Sequence, residues 1–96
     1  SLLRELVEMF LAIVPSVLDE LEGGLNDGDG DRVRRAAHRL NGLAANFDGK
    51  RVVAAAAEIE SLGMAAQIDE AKRKHPTLVD EIEKLRRALQ DFSGRN

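Results

Sequence analysis

His38 is the residue of this sequence best suited to covalent chemistry. The chain has two histidines and no cysteine. An imidazole in water titrates near about pH 6.5, so at neutral pH most imidazoles present an unprotonated nitrogen that can act as a nucleophile. His38 is therefore a candidate acceptor for a transferred group. On residue type and spacing alone, an ordinary surface histidine is the simpler interpretation.

The helix predicted around His38 turns its side chain away from the core. At about 100° per residue, the apolar face of this helix centres near Leu40, and His38 points roughly 160° away from that centre. We therefore expect His38 to be exposed in the middle of the helix. The residues that define the apolar face are Val33, Ala36, Ala37, Leu40, Leu43, Ala44 and Phe47.

Small residues lie on the C-terminal side of the predicted position of His38. Gly42 in a helix interior costs about 1 kcal/mol relative to alanine, and no core packing explains that cost at an exposed position. A clearing that lets a partner surface approach the imidazole explains it. The surface neighbours one or two turns away are Arg34, Arg35, Asn41, Gly42 and Ala45.

Four amphipathic segments must position this histidine. The first, over roughly residues 2–22, places Pro15 at a predicted kink or restart and is expected to end in a turn over residues 23–28. Its apolar stripe is Leu3, Val7, Phe10, Val14, Val17 and Leu21, widened by Leu6, Ile13 and Leu18. Asp29 is the predicted N-cap of the second helix, over about residues 30–46, with Asp31 in its first turn.

The second half of the chain predicts two further helices. Asp48 and Gly49 mark a turn, and Val52, Ile59 and Leu62 belong to a stripe that carries helix three to about residue 63. The last helix, from about residue 66 to residue 92, is expected to kink at Pro76. Because each stripe must be buried against the others, the sequence predicts an all-α, antiparallel up-down four-helix bundle. The glycines and prolines disfavour the alternative, a long dimeric coiled coil.

Composition narrows the possible functions. The 96 residues suit one domain over residues 1–96, which we expect to be monomeric. A net charge of −3 with scattered cations disfavours nucleic-acid binding. The longest apolar run, residues 9–15, is far below the roughly 20 residues of a membrane span, so we expect no membrane contact and a cytoplasmic location. Because the chain opens without Met inside an amphipathic pattern, excision from a longer protein is also an expectation.

Residues 36–47, with the sequence AAHRLNGLAANF, resemble the signature of histidine-containing phosphotransfer (HPt) domains. In that family a phosphoaccepting histidine is followed by leucine, lysine and glycine two, three and four residues later. Here Leu40 and Gly42 match, whereas Asn41 replaces the lysine. The resemblance extends over most of the chain as a pattern of helices. It implies that His38 is the phosphoacceptor, that Gly42 leaves room for the receiver, and that Leu40 and Phe47 are buried supports.

The replacement of the family lysine by Asn41 is expected to affect the efficiency of phosphoryl transfer. The family lysine is thought to steady the phosphoryl group by its charge, and a neutral amide donor is weaker by roughly half. Arg34, one turn before His38 on nearly the same face, is a candidate for the missing cation, and Arg35 and Arg39 are less well aimed. The alternative left open is a degenerate HPt-like module that binds receiver domains without phosphoryl chemistry.

The resemblance implies a phosphorelay carrier rather than an enzyme. It also makes a hybrid sensor kinase a candidate for the longer protein from which residues 1–96 would have been excised. His38 would accept a phosphoryl group from the phosphoaspartate of a receiver domain, in a response regulator or hybrid kinase, and pass it to a second receiver. The chain would need no cofactor of its own, because Mg²⁺ and charge-stabilising groups would come from the receiver.

Other groups of polar residues suggest no second site. Asp27, Asp29 and Asp31 have the opening spacing of a calcium loop, but Arg32 and His38 stand where that loop needs glycine and glutamate, which favours a turn and a helix cap. His75 has no metal-ligand neighbour at suitable spacing and is interpreted as a surface residue near a helix end. Five acidic residues are interpreted as solvated: Glu58, Glu60, Asp80, Glu81 and Glu83.

Overall fold

A computed structural model, which describes residues 1–94, consists of four α-helices with no strand in that range. Helix α1 spans Leu2–Asp27, α2 spans Gly30–Ala45, α3 spans Lys50–Met64 and α4 spans Ile68–Gly94. Short turns join them, α2 packs against α1 and α3, and α4 packs against α3 and α1. The predicted antiparallel four-helix bundle is therefore confirmed, and α2 lies diagonally across from α4.

The core forms from the predicted stripes. The most deeply buried large side chains include Leu21 of α1, Leu40 of α2, Ile59 of α3 and Leu78 of α4. Phe10 and the half-buried Phe47 meet edge to face, with ring centroids 5.3 Å apart. Such aromatic pairs add about 0.5–1.5 kcal/mol beyond the burial of their area. This contact fixes the C-terminal end of α2 against α1, so α2 is held at both its core face and its end.

The first helix is longer than the sequence predicts. Gly23 and Gly24 do not end it, and it continues to Asp27 with Gly28 as a left-handed C-cap at φ 67°. Gly24 is buried, and a Cβ added to it would lie 3.0 Å from both Cγ2 and the backbone N of Val33. The prediction of a turn over residues 23–28 was wrong because Gly24 serves close packing of α1 on α2. Glycine patterns alone do not distinguish this role from a cap.

Two predicted core positions at the start of α1 are exposed. Leu3 and Leu6 keep 46% and 40% of their accessible area, although they continue the apolar stripe. The helices α1 and α4 have 26 and 27 residues, whereas α2 has 16 and α3 has 15. Phe10 packs beside Phe47, which follows the last residue of α2. The turns of α1 before Phe10 therefore extend beyond the end of α2, and α2 does not cover them.

Both prolines lie inside continuous helices. Pro15 is within α1 and Pro76 within α4, so neither helix restarts at its proline. A bend of α4 at Pro76 stays a prediction. The predicted cap of α2 is confirmed, since the Asp29 side chain accepts a hydrogen bond from the backbone N of Arg32 at 3.1 Å. No helix within residues 1–94 is both long and apolar enough to cross a bilayer.

Candidate functional site

His38 lies in the middle of α2 on the face opposite the core. Its side chain keeps 72% of its accessible area, and it is flanked by the exposed residues Gly42 and Ala45. A Cβ added to Gly42 would meet no atom within 4 Å, so the surface beside the imidazole is open. The predicted exposure of His38 and the clearing beside it are both confirmed.

A carboxylate from the neighbouring helix orients the imidazole. Nδ1 of His38 lies 3.0 Å from Oε2 of Glu60 in α3. A carboxylate accepts hydrogen bonds, so Nδ1 carries the hydrogen and donates it to Glu60. In the neutral ring this leaves the lone pair on Nε2. The contact therefore leaves Nε2 as the ring nitrogen whose lone pair is free of Glu60.

The packing of α2 on α3 brings these two residues into register. Gly63 of α3 meets the start of α2 so closely that an added Cβ would lie 2.9 Å from both the carbonyl oxygen of Gly30 and the backbone N of Arg34. His38 is one turn beyond Arg34, and Glu60 is one turn before Gly63. Because Cα–Cβ bonds tilt toward the N-terminus of their own helix, the side chains of these antiparallel helices lean toward each other.

Glu60 was missed by the sequence analysis, which interpreted it as solvated. Its side chain keeps only 22% of its accessible area, so that interpretation was wrong. One signal was present: Glu60 follows the buried Ile59 and lies one turn before the buried Gly63, which places it at the border of the face that α3 packs on α2. Whether Glu60 reaches His38 depends on the register between α2 and α3, which the sequence does not specify.

The arginines near His38 differ in their partners. Arg34 donates from Nη2 to Oδ1 of Asp31 at 2.8 Å and from Nε to the same oxygen at 3.2 Å, while Arg35 pairs with Oδ2 at 3.1 Å. The hydrogen bond from Arg34 and the charges of both arginines lower the pKa of Asp31. Arg39 is exposed and makes no ion pair within residues 1–94. Asn41, at the family lysine position, is half-buried.

An open groove runs beside His38 between α1 and α2. Its volume is about 520 Å³. We call it the α1–α2 groove, and its lining residues are Val17, Glu20, Arg32, Arg34, Arg35, Ala36, His38 and Arg39. Arg32 within it is held by Glu20 at 3.0 Å and by Asp27 at 3.1 Å. The groove places the imidazole beside four arginines, three of which pair with carboxylates.

The second histidine sits in a different environment. His75 lies within α4, keeps 22% of its side-chain area exposed, and approaches Oε2 of Glu22 through Nε2 at 3.1 Å. Its interpretation as a surface residue near a helix end was therefore wrong, because its ring bridges α4 to α1. Within residues 1–94 no group of three or more potential metal-ligating side chains comes together.

A helical bundle that presents one exposed, carboxylate-oriented histidine from the middle of a surface helix has the architecture of a histidine phosphocarrier. The family model described as Hpt domain matches residues 5–92, and the chain therefore belongs to the Hpt family. Hpt domains transfer phosphoryl groups through histidine in two-component phosphorelays, in which they work with receiver domains. Comparisons with curated proteins and with solved structures gave no match.

Proposed function

We propose that His38 is the phosphoacceptor and that the chain relays phosphoryl groups between two receiver domains. Nε2 attacks the phosphorus of a receiver phosphoaspartate, an N–P bond forms, and the P–O bond to the aspartate breaks. The aspartate leaves as a carboxylate with the bonding electron pair. Transfer onward reverses these steps on the aspartate of a second receiver.

The contact between His38 and Glu60 is the observation that supports this proposal. When Nε2 bonds to phosphorus while Nδ1 keeps its hydrogen, the ring gains positive charge. The carboxylate of Glu60, 3.0 Å from Nδ1, is already in place to stabilise that charge. Electrostatic groups fixed before the reaction need no reorganisation in the transition state, which is the usual source of their catalytic effect.

The proposal divides the remaining chemistry between the two proteins. The receiver contributes Mg²⁺ and the groups that neutralise the phosphoryl oxygens, while this chain contributes the nucleophile and its orientation. Phosphoryl transfer depends mainly on positioning and electrostatics, so a carrier needs few groups of its own. Arg34 and Asn41 remain the candidates on this chain for contact with the phosphoryl oxygens.

The test is incubation of the chain with a receiver domain carrying a radioactive phosphoryl group on its aspartate. The expected product is a label on this chain that is acid-labile and base-stable, as phosphohistidine is. The His38→Gln variant should remain unlabelled. The His75→Gln variant is the matched control, since it removes the only other histidine, and it should label as the parent does.

One result would overturn the proposal. If the parent binds the phosphorylated receiver but never acquires label, the chain is a degenerate module that binds receivers without phosphoryl chemistry. That is the alternative that Asn41 in place of lysine leaves open. Treatment with phosphoramidate, a small phosphoryl donor, separates intrinsic reactivity from docking. A parent labelled on His38 by phosphoramidate has a competent nucleophile whatever receiver is used.

A further inference from the structure

The two long helices extend beyond the two short ones at one end of the bundle. Residues 2–9 of α1, about 12 Å of helix, lie beyond the end of α2, because Phe10 already packs at that end. Leu85 of α4 lies at the start of α3, since a Cβ added to Gly49 would be 2.8 Å from its Cδ2. Residues 86–94 of α4 therefore extend beyond the start of α3. We call these two helix ends the overhang.

The overhang carries most of the large apolar side chains that the bundle leaves exposed. Six large hydrophobic residues are exposed within residues 1–94, and five of them lie in the overhang. Their exposed fractions are 72% for Leu2, 46% for Leu3, 40% for Leu6, 56% for Met9 and 42% for Phe92. At about 200 Å² for a fully exposed large side chain, they present on the order of 500 Å² of apolar surface. Patches of about 300–600 Å² are the largest on ordinary monomers and often have a function.

The side chains of the overhang point to the side on which α2 and α3 lie in the rest of the bundle. Residues 18 positions apart on a helix are separated by five complete turns and point in the same direction. Leu6 is 18 positions before Gly24, which packs against α2. Phe92 is 18 positions after Lys74, whose Nζ lies 3.1 Å from Oε1 of Glu58 in α3. The overhang therefore continues the faces that α2 and α3 cover elsewhere.

A pair of helices with one uncovered apolar face becomes a four-helix bundle when a second such pair covers it. We propose that the chain forms a two-fold symmetric dimer in which the overhangs of two copies pack face to face. The partner's α1 then continues the line of α2, and the partner's α4 continues the line of α3. Leu6, halfway along residues 2–9, lies beside its counterpart at the two-fold axis.

The area of the overhang suits a second copy of the chain. Two overhangs together remove about 1,000 Å² of apolar surface from water, which is near the lower limit for a specific interface. An interface of this size gives a weak dimer, and we expect a Kd on the order of 10–100 μM. The sequence analysis expected a monomer, and the exposure of Leu3 and Leu6 argues against that expectation.

The ends of α3 and of the partner's α4, which meet in this dimer, carry complementary charge. Helix α3 begins with Lys50 and Arg51, which are exposed and make no ion pair within residues 1–94. Its N-cap Gly49 makes no side-chain hydrogen bond and its first turn has no acidic residue, so no side chain offsets the positive end of the helix dipole. Helix α4 has no basic residue in its last described turn, so its C-terminal carbonyl groups present partial negative charge.

This inference does not rest on the proposed function. His38 lies seven residues, about 10 Å, before the end of α2, so the dimer leaves its imidazole exposed. Labelling of His38 by phosphoramidate should therefore be the same in the monomer and in the dimer. Failure of either proposal leaves the other standing.

Sedimentation equilibrium of the full chain tests the dimer over about 5 μM to 1 mM, a range that brackets the expected Kd. The parent should pass from monomer to dimer. Met9→Glu should raise the Kd at least about tenfold, because it places a charge in an apolar interface. Met64→Glu is the matched control: Met64 is the sixth exposed hydrophobic residue, 69% exposed at the opposite end of α3, and its replacement should leave the Kd unchanged. The double variant Lys50→Glu/Arg51→Glu should raise the Kd about threefold.

Cysteine cross-linking tests the geometry of the dimer. The chain has no cysteine, so an introduced thiol is the only one in each copy. Helices that face each other at about 8–10 Å bring opposed Cα atoms to the roughly 5–6 Å that a disulfide spans. Leu6→Cys should therefore form a disulfide-linked dimer on oxidation in air, whereas Met64→Cys should remain mostly monomeric.

Three results would each overturn the proposal. The parent stays monomeric at about 1 mM, well above the expected Kd. Met9→Glu associates as strongly as Met64→Glu, which would place any dimer contact outside the overhang. Leu6→Cys cross-links no faster than Met64→Cys, which would exclude the two-fold arrangement. Thermal unfolding of each variant shows that a lost dimer is not a lost fold.

Discussion

Glu60 in α3 accepts a hydrogen bond from Nδ1 of His38 in α2, although the two residues are 22 positions apart in sequence. The pair is asymmetric, because the carboxylate is 22% exposed and the imidazole 72% exposed. The half-buried acid is fixed by the packing of α3, and it orients a ring that would otherwise rotate in solvent. The exposed imidazole of His38 is thus presented by α2 but oriented by α3.

The first prediction concerns this pair. Glu60→Ala should slow labelling of His38 by about tenfold, because the ring loses both its fixed tautomer and the negative charge that stabilises the phosphorylated state. Glu60→Gln should have a smaller effect, since its amide oxygen still accepts from Nδ1 but carries no charge. Nitrogen chemical shifts of the imidazole measure the tautomer directly. An unchanged tautomer and unchanged labelling in Glu60→Ala would show that the contact is incidental.

The second prediction compares the same substitution at two helical glycines. Gly63→Ala should destabilise the bundle by about 1–3 kcal/mol, because its Cβ would overlap the backbone of α2 and force α3 outward. Gly42→Ala, which places a methyl in open space, should stabilise it by about 0.5–1 kcal/mol. Urea unfolding measures both free energies. Equal effects at the two sites would contradict the close approach of α2 and α3.

The third prediction tests the clearing beside His38. Gly42→Gln should keep or slightly raise the thermal unfolding temperature, by helix propensity, while it obstructs the approach of a receiver to the imidazole. Transfer from a phosphorylated receiver should fall, whereas labelling by phosphoramidate should persist because that donor is small. Transfer from the receiver at the parental rate would show that the clearing is irrelevant.

The fourth prediction concerns the position where the chain departs from the family signature. Asn41→Lys should speed transfer or lengthen the lifetime of phosphohistidine, because it adds a cation near the phosphoryl group. Arg34→Ala should impair transfer if Arg34 leaves Asp31 to take that role, and Asn41→Lys should partly rescue it, since residues that share a site couple by about 0.5–3 kcal/mol. Decay of labelled protein measures the lifetime. If Arg34→Ala transfers the phosphoryl group at the parental rate, Arg34 has no role in transfer and serves only as the ion-pair partner of Asp31.

The fifth prediction concerns acid stability. Hydrogen bonds from Arg86, with the charges of Arg86 and Arg87, lower the pKa of Glu83 to about 2 from 4.5. A carboxyl whose pKa is lower in the folded state stabilises the fold above its unfolded pKa, and this contribution is lost as the pH falls from 4.5 to about 2. Glu83→Gln should therefore lower the unfolding temperature near neutral pH but not below pH about 2. Parallel pH profiles for parent and variant would contradict the ion pair.

The amino-acid sequence by itself determined the elements of this protein. The period of apolar residues predicted four helices, and the alternation of turns and stripes predicted their antiparallel packing. The angle between His38 and Leu40 on one helix predicted that the imidazole is exposed beside Gly42. The helices and the exposure of His38 are local properties, because they depend on residues within one or two turns, where helix geometry fixes the relative directions of side chains. The antiparallel order follows from the short turns that join successive helices.

The tertiary structure decided which side chains of different helices meet. The sequence predicted that α1 ends at Gly23 and Gly24, whereas Gly24 packs against Val33 inside the bundle. The sequence also predicted a solvated Glu60, whereas the register of α3 on α2 places Glu60 against His38. His75 likewise contacts Glu22 of α1, a residue 53 positions away in sequence. The physical reason is that interhelical register follows from how ridges and grooves of whole surfaces fit together, which no single segment of sequence contains.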